Sequence, residues 1–405
     1  MNVIFVAPYF LPATVRFIDA VAGLPNVRAG LISQDPLTLL PADIRSKLKA
    51  HHRVQNGMDP RQILQAARAL SAELGPVQRL FGALEDLQVA LAQVREALSI
   101  PGLSVEAANN FRDKSTMKSV LRSQGVPCAR HCLAHTPNEA MAFVSEVGFP
   151  IVIKPRAGAG ARNTFQVDDA AALKQVLSGL PPNHHDPTMM EEFIQGEEHS
   201  FDCISIRGEV VWHSITRYYP TPLEVLKNPW IQWCVLLPRE IDAPEFDPIR
   251  LHGQRALKAL GMGTGLSHME WFRRRDGSVA ISEVAARPPG AQITTLHSVA
   301  HDMDLFKAWA KLMVFETFDI PQRKYAAGVA FLRGSGYGRV KRVEGLEQAQ
   351  RDVGSLVIEH KLPQAGQSAG SGYEGQGYVI LRHTDTEVVK QALKKLITTV
   401  RVVIE

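Results

Sequence analysis

Hydrophobic and polar positions follow two different periods along the first 110 residues. Short apolar runs such as "VIFVAP" and "VRAGLIS" have the length and composition of buried strands. The segments "PRQILQAARALSAEL" and "ALEDLQVALAQVREAL" repeat apolar residues at helical spacing. Strands and helices that alternate in this way predict a small parallel sheet with helices on its faces. No G-x-G-x-x-G follows the first strand, so a dinucleotide site is not predicted there.

The pattern changes in the segment "NNFRDKSTMKSVLRSQGVP", which predicts a helix with Asp113 near its N-cap and Gly125 at its C-cap. A strand, a helix, a second strand and the glycine-rich loop "RAGAGARNT" follow, and a helix and the strand "TMMEEFI" complete a compact α+β unit. We therefore expect three regions along the chain. They are an N-terminal α/β domain at 1–112, a central domain with a lid at 113–195, and a C-terminal domain at 196–405.

The C-terminal region begins with two predicted hairpins. Their turns are Arg207-Gly208 and Asp276-Gly277, each flanked by strand-like segments. Counting back from the second turn places Glu270 opposite Glu283. Directly opposed side chains have Cβ atoms about 5 Å apart, and like charges at that distance repel each other unless a cation lies between them.

Mg²⁺ suits such a carboxylate pair, because it takes oxygen ligands at about 2.0–2.1 Å and is often shared with substrate phosphates. The pair Glu270 and Glu283 therefore predicts a metal site. The alternative is a solvated hairpin flank.

Two other segments offer groups that suit a nucleotide. Lys154 ends the strand "PIVIKP" directly before the glycine-rich loop, whose backbone N–H groups can bind phosphate oxygens. The segment "MEEFIQGEEHSF" could present strand backbone to an adenine ring and a carboxylate to the ribose. The alternatives are a lysine that caps a strand end and an edge strand with solvated carboxylates.

Together, these segments resemble the ATP-grasp superfamily in order and spacing throughout residues 113–290. The resemblance implies an ATP-grasp fold with an N-terminal parallel α/β domain, a small lid subdomain and a larger C-terminal mixed-sheet domain. The C-terminal part resembles biotin-carboxylase-like members. The cofactors that the resemblance implies are ATP and Mg²⁺, with Mn²⁺ as an alternative metal.

The resemblance also assigns roles to individual residues. Those expected to bind ATP are Lys114 and Lys154 at the phosphates, Gly158 and Gly160 in the loop, and Glu191, Glu192, Ile194 and Glu198 at the adenosine. Glu270 and Glu283 are expected to bind the metal, and Arg287 a substrate carboxylate or an acyl phosphate. His268 is expected on the same strand face as Glu270. It would either orient the intermediate or accept a proton, or it would be a hydrogen-bonded structural histidine.

One position departs from the family pattern E-x-N-x-R. The sequence "EVAAR" has Ala285 where many members have a metal-binding asparagine. A second metal ion would then be held less tightly.

Composition narrows the class of protein without naming a substrate. The 405 residues are 45% hydrophobic and 21% charged, as in an ordinary globular protein. The net charge of +4 allows an anionic small-molecule substrate but does not indicate nucleic acid. No window reaches about 18 uninterrupted apolar residues, the length of a membrane span. We therefore expect a cytoplasmic protein with small-molecule carboxylate and amine substrates, and leave open whether it is a homodimer.

Three functions remain open at this point. The first is a carboxylate–amine ligase that resembles the L-amino acid ligases, forms ADP and proceeds through an acyl phosphate. The second is a biotin-carboxylase-like or formate-using enzyme. The third is a catalytically weak ATP-binding sensor, for which Ala285 is the only sequence feature.

Overall fold

The structure of the protein, a computed structural model, describes residues 1–158, 163–179, 181–228, 231–334, 336, 338–370 and 372–405. Its N-terminal part is a sheet of four parallel strands flanked by helices, as the sequence predicts. The elements are β1 (Asn2–Val6), α1 (Pro12–Ala22), β2 (Arg28–Ser33), α2 (Ala42–Lys47), β3 (Ala50–Arg53), α3 (Pro60–Leu74), β4 (Arg79–Phe81), α4 (Gln88–Ala97) and α5 (Val105–Arg112). The strand order is β3-β2-β1-β4, so β4 forms one edge.

Asp113 separates α5 from the next helix, α6 (Lys114–Ser123). Its backbone is extended, and its side chain accepts a hydrogen bond from the backbone N–H of Thr116 at 2.8 Å. The predicted N-cap is therefore confirmed. Residues 109–112, which the sequence pattern did not separate from this helix, belong to α5. The cap makes Lys114 the first residue of α6.

The next unit is a four-stranded antiparallel sheet with two helices and its own apolar core. Its elements are β5 (His131–Ala134), α7 (Pro137–Val147), β6 (Ile151–Lys154), β7 (Phe165–Val167), α8 (Ala170–Gly179) and β8 (Thr188–Glu192). The strand order is β5-β8-β6-β7. Because β8 lies between β5 and β6, Glu191 comes beside Val152 of the strand that ends at Lys154.

The rest of the chain is built around a large antiparallel sheet. Its elements in chain order are β9 (Glu197–Ile206), β10 (Glu209–Tyr219), α9 (Pro222–Lys227), β11 (Trp233–Leu237), α10 (Asp247–Leu260), β12 (Gly265–Arg273), β13 (Val279–Ala285), α11 (Ile293–His301), α12 (Leu305–Phe315), β14 (Ala326–Leu332), β15 (Val340–Glu344), α13 (Leu346–Val353), β16 (Val357–Lys361), β17 (Gly377–His383), α14 (Thr386–Thr399) and β18 (Arg401–Ile404). Eight strands pair in the order β13-β12-β9-β10-β11-β14-β17-β16, and β15 pairs with β18 in a separate ribbon. A parallel bridge between Cys128 and Ile281 joins the start of the small unit to β13.

Both predicted hairpins are confirmed, β9–β10 and β12–β13. In the first turn, Arg207 and Gly208 both have positive φ, at 52° and 89°. Such a turn matches the twist of the two strands that it joins. Helix α10 ends at Gly261 in the left-handed conformation. No helix in the ranges described above is long and apolar enough to cross a membrane.

Candidate functional site

Three carboxylates lie on one face of the large sheet. Glu270 of β12 is paired with Glu283 of β13, which confirms the predicted cross-strand pair. On the other side of β12, Glu198 of β9 is paired with Phe272, two residues from Glu270. Paired residues of neighbouring strands point to the same face, and so do residues two apart on one strand. The register therefore directs all three carboxylates to one side.

Lys114 connects this carboxylate group to the glycine-rich loop. Its Nζ lies 2.8 Å from Oε1 of Glu283 and donates a hydrogen bond to the backbone O of Gly158 at 2.9 Å. The side chain is only 7% exposed, so the ammonium group is removed from most of its water. Three of the predicted residues are thus brought together. Gly160, also predicted, lies outside the described residues.

Lys154 and Glu191 form a second buried ion pair. Nζ of Lys154 is 2.9 Å from Oε1 of Glu191, and Nζ of Lys118 is 3.3 Å from Oε2 of the same carboxylate. Burial favours the neutral forms of these groups, but the two lysines bring the pKa of Glu191 below its usual value. The Glu191 charge in turn raises that of Lys154 against the effect of burial.

Sequence reasoning missed Lys118. It is fully buried, and its Nζ also donates to the backbone O of Ser282 at 3.0 Å, so it joins β8 to β13. The signal that could have found it is its position in "RDKSTMK". It lies four residues after Lys114, and residues four apart share a helix face.

Two other residues expected near the adenosine, Glu192 and Ile194, do not take part in the ion pairs of Glu191. Glu192 follows Glu191 on β8 and points to the other face, where its Oε2 accepts a hydrogen bond from Nε of Arg130 at 2.6 Å. Ile194 is half-buried beyond the end of β8, and its backbone N–H makes no hydrogen bond within the part of the chain that the structure describes. That amide is available to an acceptor on a ligand.

The pKa values of two carboxylates on this face are shifted in opposite directions. Burial, followed by the neighbouring charge of Glu270, raises the pKa of Glu198 well above its usual value. Burial also acts to raise the pKa of Glu283, but the Lys114 ammonium, followed by that of Lys154, lowers it below its usual value. The nearby lysines thus stabilise the charged form of Glu283, whereas the surroundings of Glu198 favour its neutral form.

A buried chain of side chains leads from Glu270 into the protein. His268 lies opposite Asp202 in the β9–β12 register, and its Nδ1 is 2.5 Å from Oδ1 of Asp202. The other oxygen of Asp202 lies 2.9 Å from Nε2 of His297 on α11. Nε2 of His268 is 3.8 Å from Oε1 of Glu270. Burial acts against the charged form of His268, but Asp202, and to a lesser extent Glu270, raise its pKa to about 9.

Arg287 lies in the turn after β13, where its guanidinium group meets a carboxylate of the N-terminal region. Its Nη2 and Nε donate to Oε2 of Glu85 at 2.6 and 3.0 Å. The other oxygen of Glu85 accepts from Nη1 of Arg112 at 3.1 Å, and the same Nη1 lies 3.3 Å from the O of Gly158. Sequence reasoning missed Glu85, which precedes α4 in a short 3₁₀ turn, Glu85–Leu87.

The donor set fits Mg²⁺. Among the residues that the structure describes, no group of three or more His, Cys, Asp or Glu side chains could by itself hold a metal ion. Mg²⁺ commonly takes one or two carboxylates and completes its octahedron with water and substrate phosphates. Glu270 and Glu283 offer that number of carboxylates. Ala285, paired with His268, adds no ligand.

Comparisons with known proteins show which sequences this chain resembles. A sequence model of the ATP-grasp domain matches residues 119–301. L-arginine-specific L-amino acid ligase from Bacillus subtilis is 23% identical over 71% of this chain and 70% of its own length. An uncharacterized protein of Sinorhizobium fredii is 25% identical over 66% of this chain. The chain spans about half of that relative, since the match covers 55% of its length.

The fold is shared along the whole chain. The crystal structure of L-amino acid ligase from Bacillus licheniformis matches with a TM-score of 0.79 at 20% sequence identity, covering 100% of this chain and 98% of that one. At that identity the likeness concerns the fold alone. It confirms the predicted architecture of an N-terminal α/β part, a small lid unit and a large C-terminal sheet.

Proposed function

This chain carries an ATP-grasp domain, and from that premise we propose that it is an ADP-forming ligase that joins an amino-acid-like carboxylate to an amine. The observation that supports this most is the arrangement around Lys114. One ammonium group contacts both a carboxylate of the predicted metal pair, Glu283, and the loop at Gly158. ATP with Mg²⁺ is the nucleotide and metal of the fold.

The proposed reaction has two steps. An oxygen of the substrate carboxylate attacks the γ-phosphorus of ATP, the bond from that phosphorus to the β–γ bridging oxygen breaks, and ADP leaves. The amine nitrogen then attacks the acyl carbon, phosphate leaves with the bonding electrons, and the amine loses a proton. Phosphoryl transfer of this kind depends mostly on positioning and on neutralising charge.

The residues of this chain would divide that work as follows. Lys114 and Lys154 bind the phosphates, and they already lie against carboxylates of the site. Glu270 and Glu283 hold Mg²⁺, which when bound neutralises charge on the phosphate oxygens. Ile194 offers its unpaired backbone N–H to the adenine ring.

Arg287 is proposed to bind the substrate carboxylate. Its guanidinium group already donates two hydrogen bonds to a carboxylate oxygen of Glu85. A planar fork of donors suits a carboxylate in a way that an ammonium group does not. A substrate carboxylate would take the place of Glu85, and Arg112 would still hold Glu85.

His268 is proposed to act as a cation and not as a proton acceptor. With its pKa raised to about 9 by Asp202 and Glu270, against the effect of burial, the imidazole is protonated at neutral pH. It then has no free lone pair, and its Nε2–H is directed towards Glu270. It would orient that carboxylate and stabilise the negative charge that develops beside it.

A substrate screen tests the proposal. The purified chain is incubated with ATP, Mg²⁺ and pairs of amino acids, and ADP, AMP and the condensation product are measured together. We expect ADP and product in equal amounts and no AMP. ADP formation that requires bicarbonate and yields no condensation product would instead indicate a carboxylase. No nucleotide turnover with any pair would indicate an ATP-binding sensor.

A further inference from the structure

A cavity of about 240 Å³ lies between the edge strand of the N-terminal sheet and the large sheet. Strand β4 lines one side, and Leu266 of β12 and Trp309 of α12 line the other. One end reaches residues 286–288, the turn that carries Arg287. The other end reaches the ion pair between Arg207 and Glu316. The cavity therefore adjoins the proposed active site but contains none of the residues proposed to bind ATP or metal.

The charge of the lining is strongly positive. Four arginines and one glutamate line the cavity: Arg79, Arg95, Arg207, Arg287 and Glu316. Two of the arginines are paired with carboxylates, Arg207 with Glu316 and Arg287 with Glu85. Within the described residues, Arg79 and Arg95 form no ion pair with a carboxylate. Among the described residues these two arginines thus have no carboxylate within ion-pair distance, although the charge of Glu96 acts on Arg95 from farther away.

Arg95 is the more unusual of the two, since it is only 6% exposed. Its Nη1 and Nη2 donate to the backbone oxygens of Leu80 at 3.3 Å and Leu103 at 2.8 Å. Its Nε has no hydrogen-bond partner among the residues described. Carbonyl groups satisfy donors but do not neutralise a charge, and a buried charge is costly unless an opposite charge compensates it. The burial lowers the pKa of Arg95 to about 10.

The rest of the lining is largely apolar. Leu103 and Met313, both half-buried, supply aliphatic surface next to the arginines, whereas the lining residues Phe81, Leu266 and Trp309 are buried in the core. Pockets for drug-sized ligands measure about 300–1,000 Å³, so this cavity suits one smaller molecule. An apolar wall with a few charged groups at fixed positions is the usual composition of such a site.

We propose that this cavity binds a small amphipathic carboxylate, with its apolar body against Leu103 and Met313 and its charge facing Arg79 and Arg95. The occupant supplies the missing counter-charge. Because residues 286–288 border the cavity, its occupancy reaches the turn that positions Arg287. The ligand is either the carboxylate substrate of the proposed reaction or a separate effector of the same chemistry. Binding itself does not depend on the proposed function.

Calorimetric titration of the full chain, without ATP, tests this with 4-phenylbutyrate and its neutral amide as probes. We expect saturable binding of the acid and at least about tenfold weaker binding of the amide, because hydrogen bonds between two charged groups are stronger than those to a neutral group. Arg79→Gln should weaken binding of the acid by a similar factor. The matched control is Arg53→Gln, a change on β3 of the same sheet, where Nε of Arg53 donates to the backbone O of Gln34 at 3.0 Å. It should leave binding unchanged.

Arg79 is chosen because the bonds of Arg95 to Leu80 and Leu103 hold the local backbone, so a variant of Arg95 is expected to lose stability. Glu270→Gln, which the proposed function expects to stop turnover, should bind the acid as the natural chain does. A change of affinity in Glu270→Gln without one in Arg79→Gln would place the anion in the nucleotide site and overturn the proposal. Equal affinity for acid and amide, or no saturable binding of the acid, would also overturn it.

Steady-state kinetics distinguish a substrate from an effector in this cavity once a substrate pair is known. If the occupant is the substrate, Arg79→Gln raises KM for the carboxylate and leaves KM for ATP unchanged. If it is an effector, 4-phenylbutyrate changes kcat of the natural chain at saturating carboxylate, and Arg79→Gln abolishes that change. Either result supports a ligand in this cavity, and the absence of both effects would contradict it.

Discussion

The two faces of strands β9, β12 and β13 differ in chemistry although they share one backbone. One face carries Glu198, Asp202, His268, Glu270 and Glu283. The residues between them point the other way into an apolar core, and these include Phe201, Cys203, Met269, Trp271 and Val284. The period of two separates the sets on β9 and β12. On β13 the register shift places Ile281 in the apolar core although it lies two residues from Glu283.

The comparison shows which face stabilises the fold. Burying apolar side chains stabilises the folded chain, whereas buried carboxylates lose hydration and repel one another. The charged face is therefore expected to contribute function at some cost in stability, and the apolar face stability with little direct effect on the chemistry.

The largest expected effect is on turnover, from Glu270→Gln and Glu283→Gln. Each substitution keeps the shape of the side chain and removes a charge from the proposed metal pair. Loss of such preorganised electrostatic groups typically costs about 10²–10³ in kcat, and we expect at least that here. The melting temperature of Glu270→Gln should stay the same or rise. That of Glu283→Gln should fall, because the buried Lys114 ammonium loses its carboxylate partner.

Glu209→Gln is the matched control, since it makes the same change at an exposed position of the large sheet. It should leave both properties unchanged. Nearly normal ADP release by Glu270→Gln at ordinary Mg²⁺ concentration would remove the metal role from the charged face.

On the apolar face, Met269→Ala is expected to lower the stability of the fold and to leave turnover nearly unchanged. Met269 is fully buried and lies between His268 and Glu270 of the charged face in the β12 sequence. Truncation of a buried methionine costs about 2–5 kcal/mol of unfolding free energy. Below the lowered melting temperature, kcat should remain within about threefold of the natural value. That is a change of less than about 1 kcal/mol in the activation barrier, since one kcal/mol corresponds to a factor of about five. A change in kcat as large as that of Glu270→Gln would show that the two faces are not separable.

A pH effect on stability is expected from His199, which lies on the apolar side and stacks on Trp271 with ring centroids 4.6 Å apart. Burial, and then the charge of Arg273, lowers its pKa to about 3. The unfolded chain binds a proton below about pH 6.5 and the folded chain does not, so stability falls as the pH decreases from 6.5 towards 3.

His199→Phe keeps the stacking and removes the titration. Relative to its own value at pH 7, the variant should lose less stability at pH 5, by about 2 kcal/mol. Denaturant titrations of both chains at the two pH values measure this. Parallel losses would show that His199 titrates normally in the folded chain.

The smallest expected effect comes from Asp202→Asn, which keeps two hydrogen-bonding groups and removes the charge behind His268. If Asp202 acts by positioning His268 beside Glu270, the Mg²⁺ concentration for half-maximal rate should rise about tenfold, as for the loss of a group behind a metal ligand. The KM for ATP at saturating Mg²⁺ should change little. His297→Asn, which leaves the contact between Asp202 and His268, should have the smaller effect. An equal rise in both constants would indicate general loss of structure.

Local patterns predicted most elements and the pair Glu270–Glu283, because hairpin turns and strand periodicity fix which residues face each other. The register is less regular than the count from the turn assumed, since it shifts between Glu270 and Trp271. Contacts between distant segments could not be predicted. Glu85 is 202 residues from Arg287, and Lys118 is 164 residues from Ser282. No local signal specifies which carboxylate will meet a given arginine when two domains pack.

The central claim, transfer of a phosphoryl group from ATP to a carboxylate on the charged face, is tested most directly by trapping the acyl phosphate. Hydroxylamine is supplied in place of the amine, with each carboxylate that supported turnover, and ADP, AMP and hydroxamate are measured together. We expect ADP and hydroxamate in equal amounts without AMP. The hydroxamate yield should be strongly reduced in Arg287→Lys, because an ammonium group cannot form the bidentate contact. AMP and pyrophosphate in place of ADP would contradict the account.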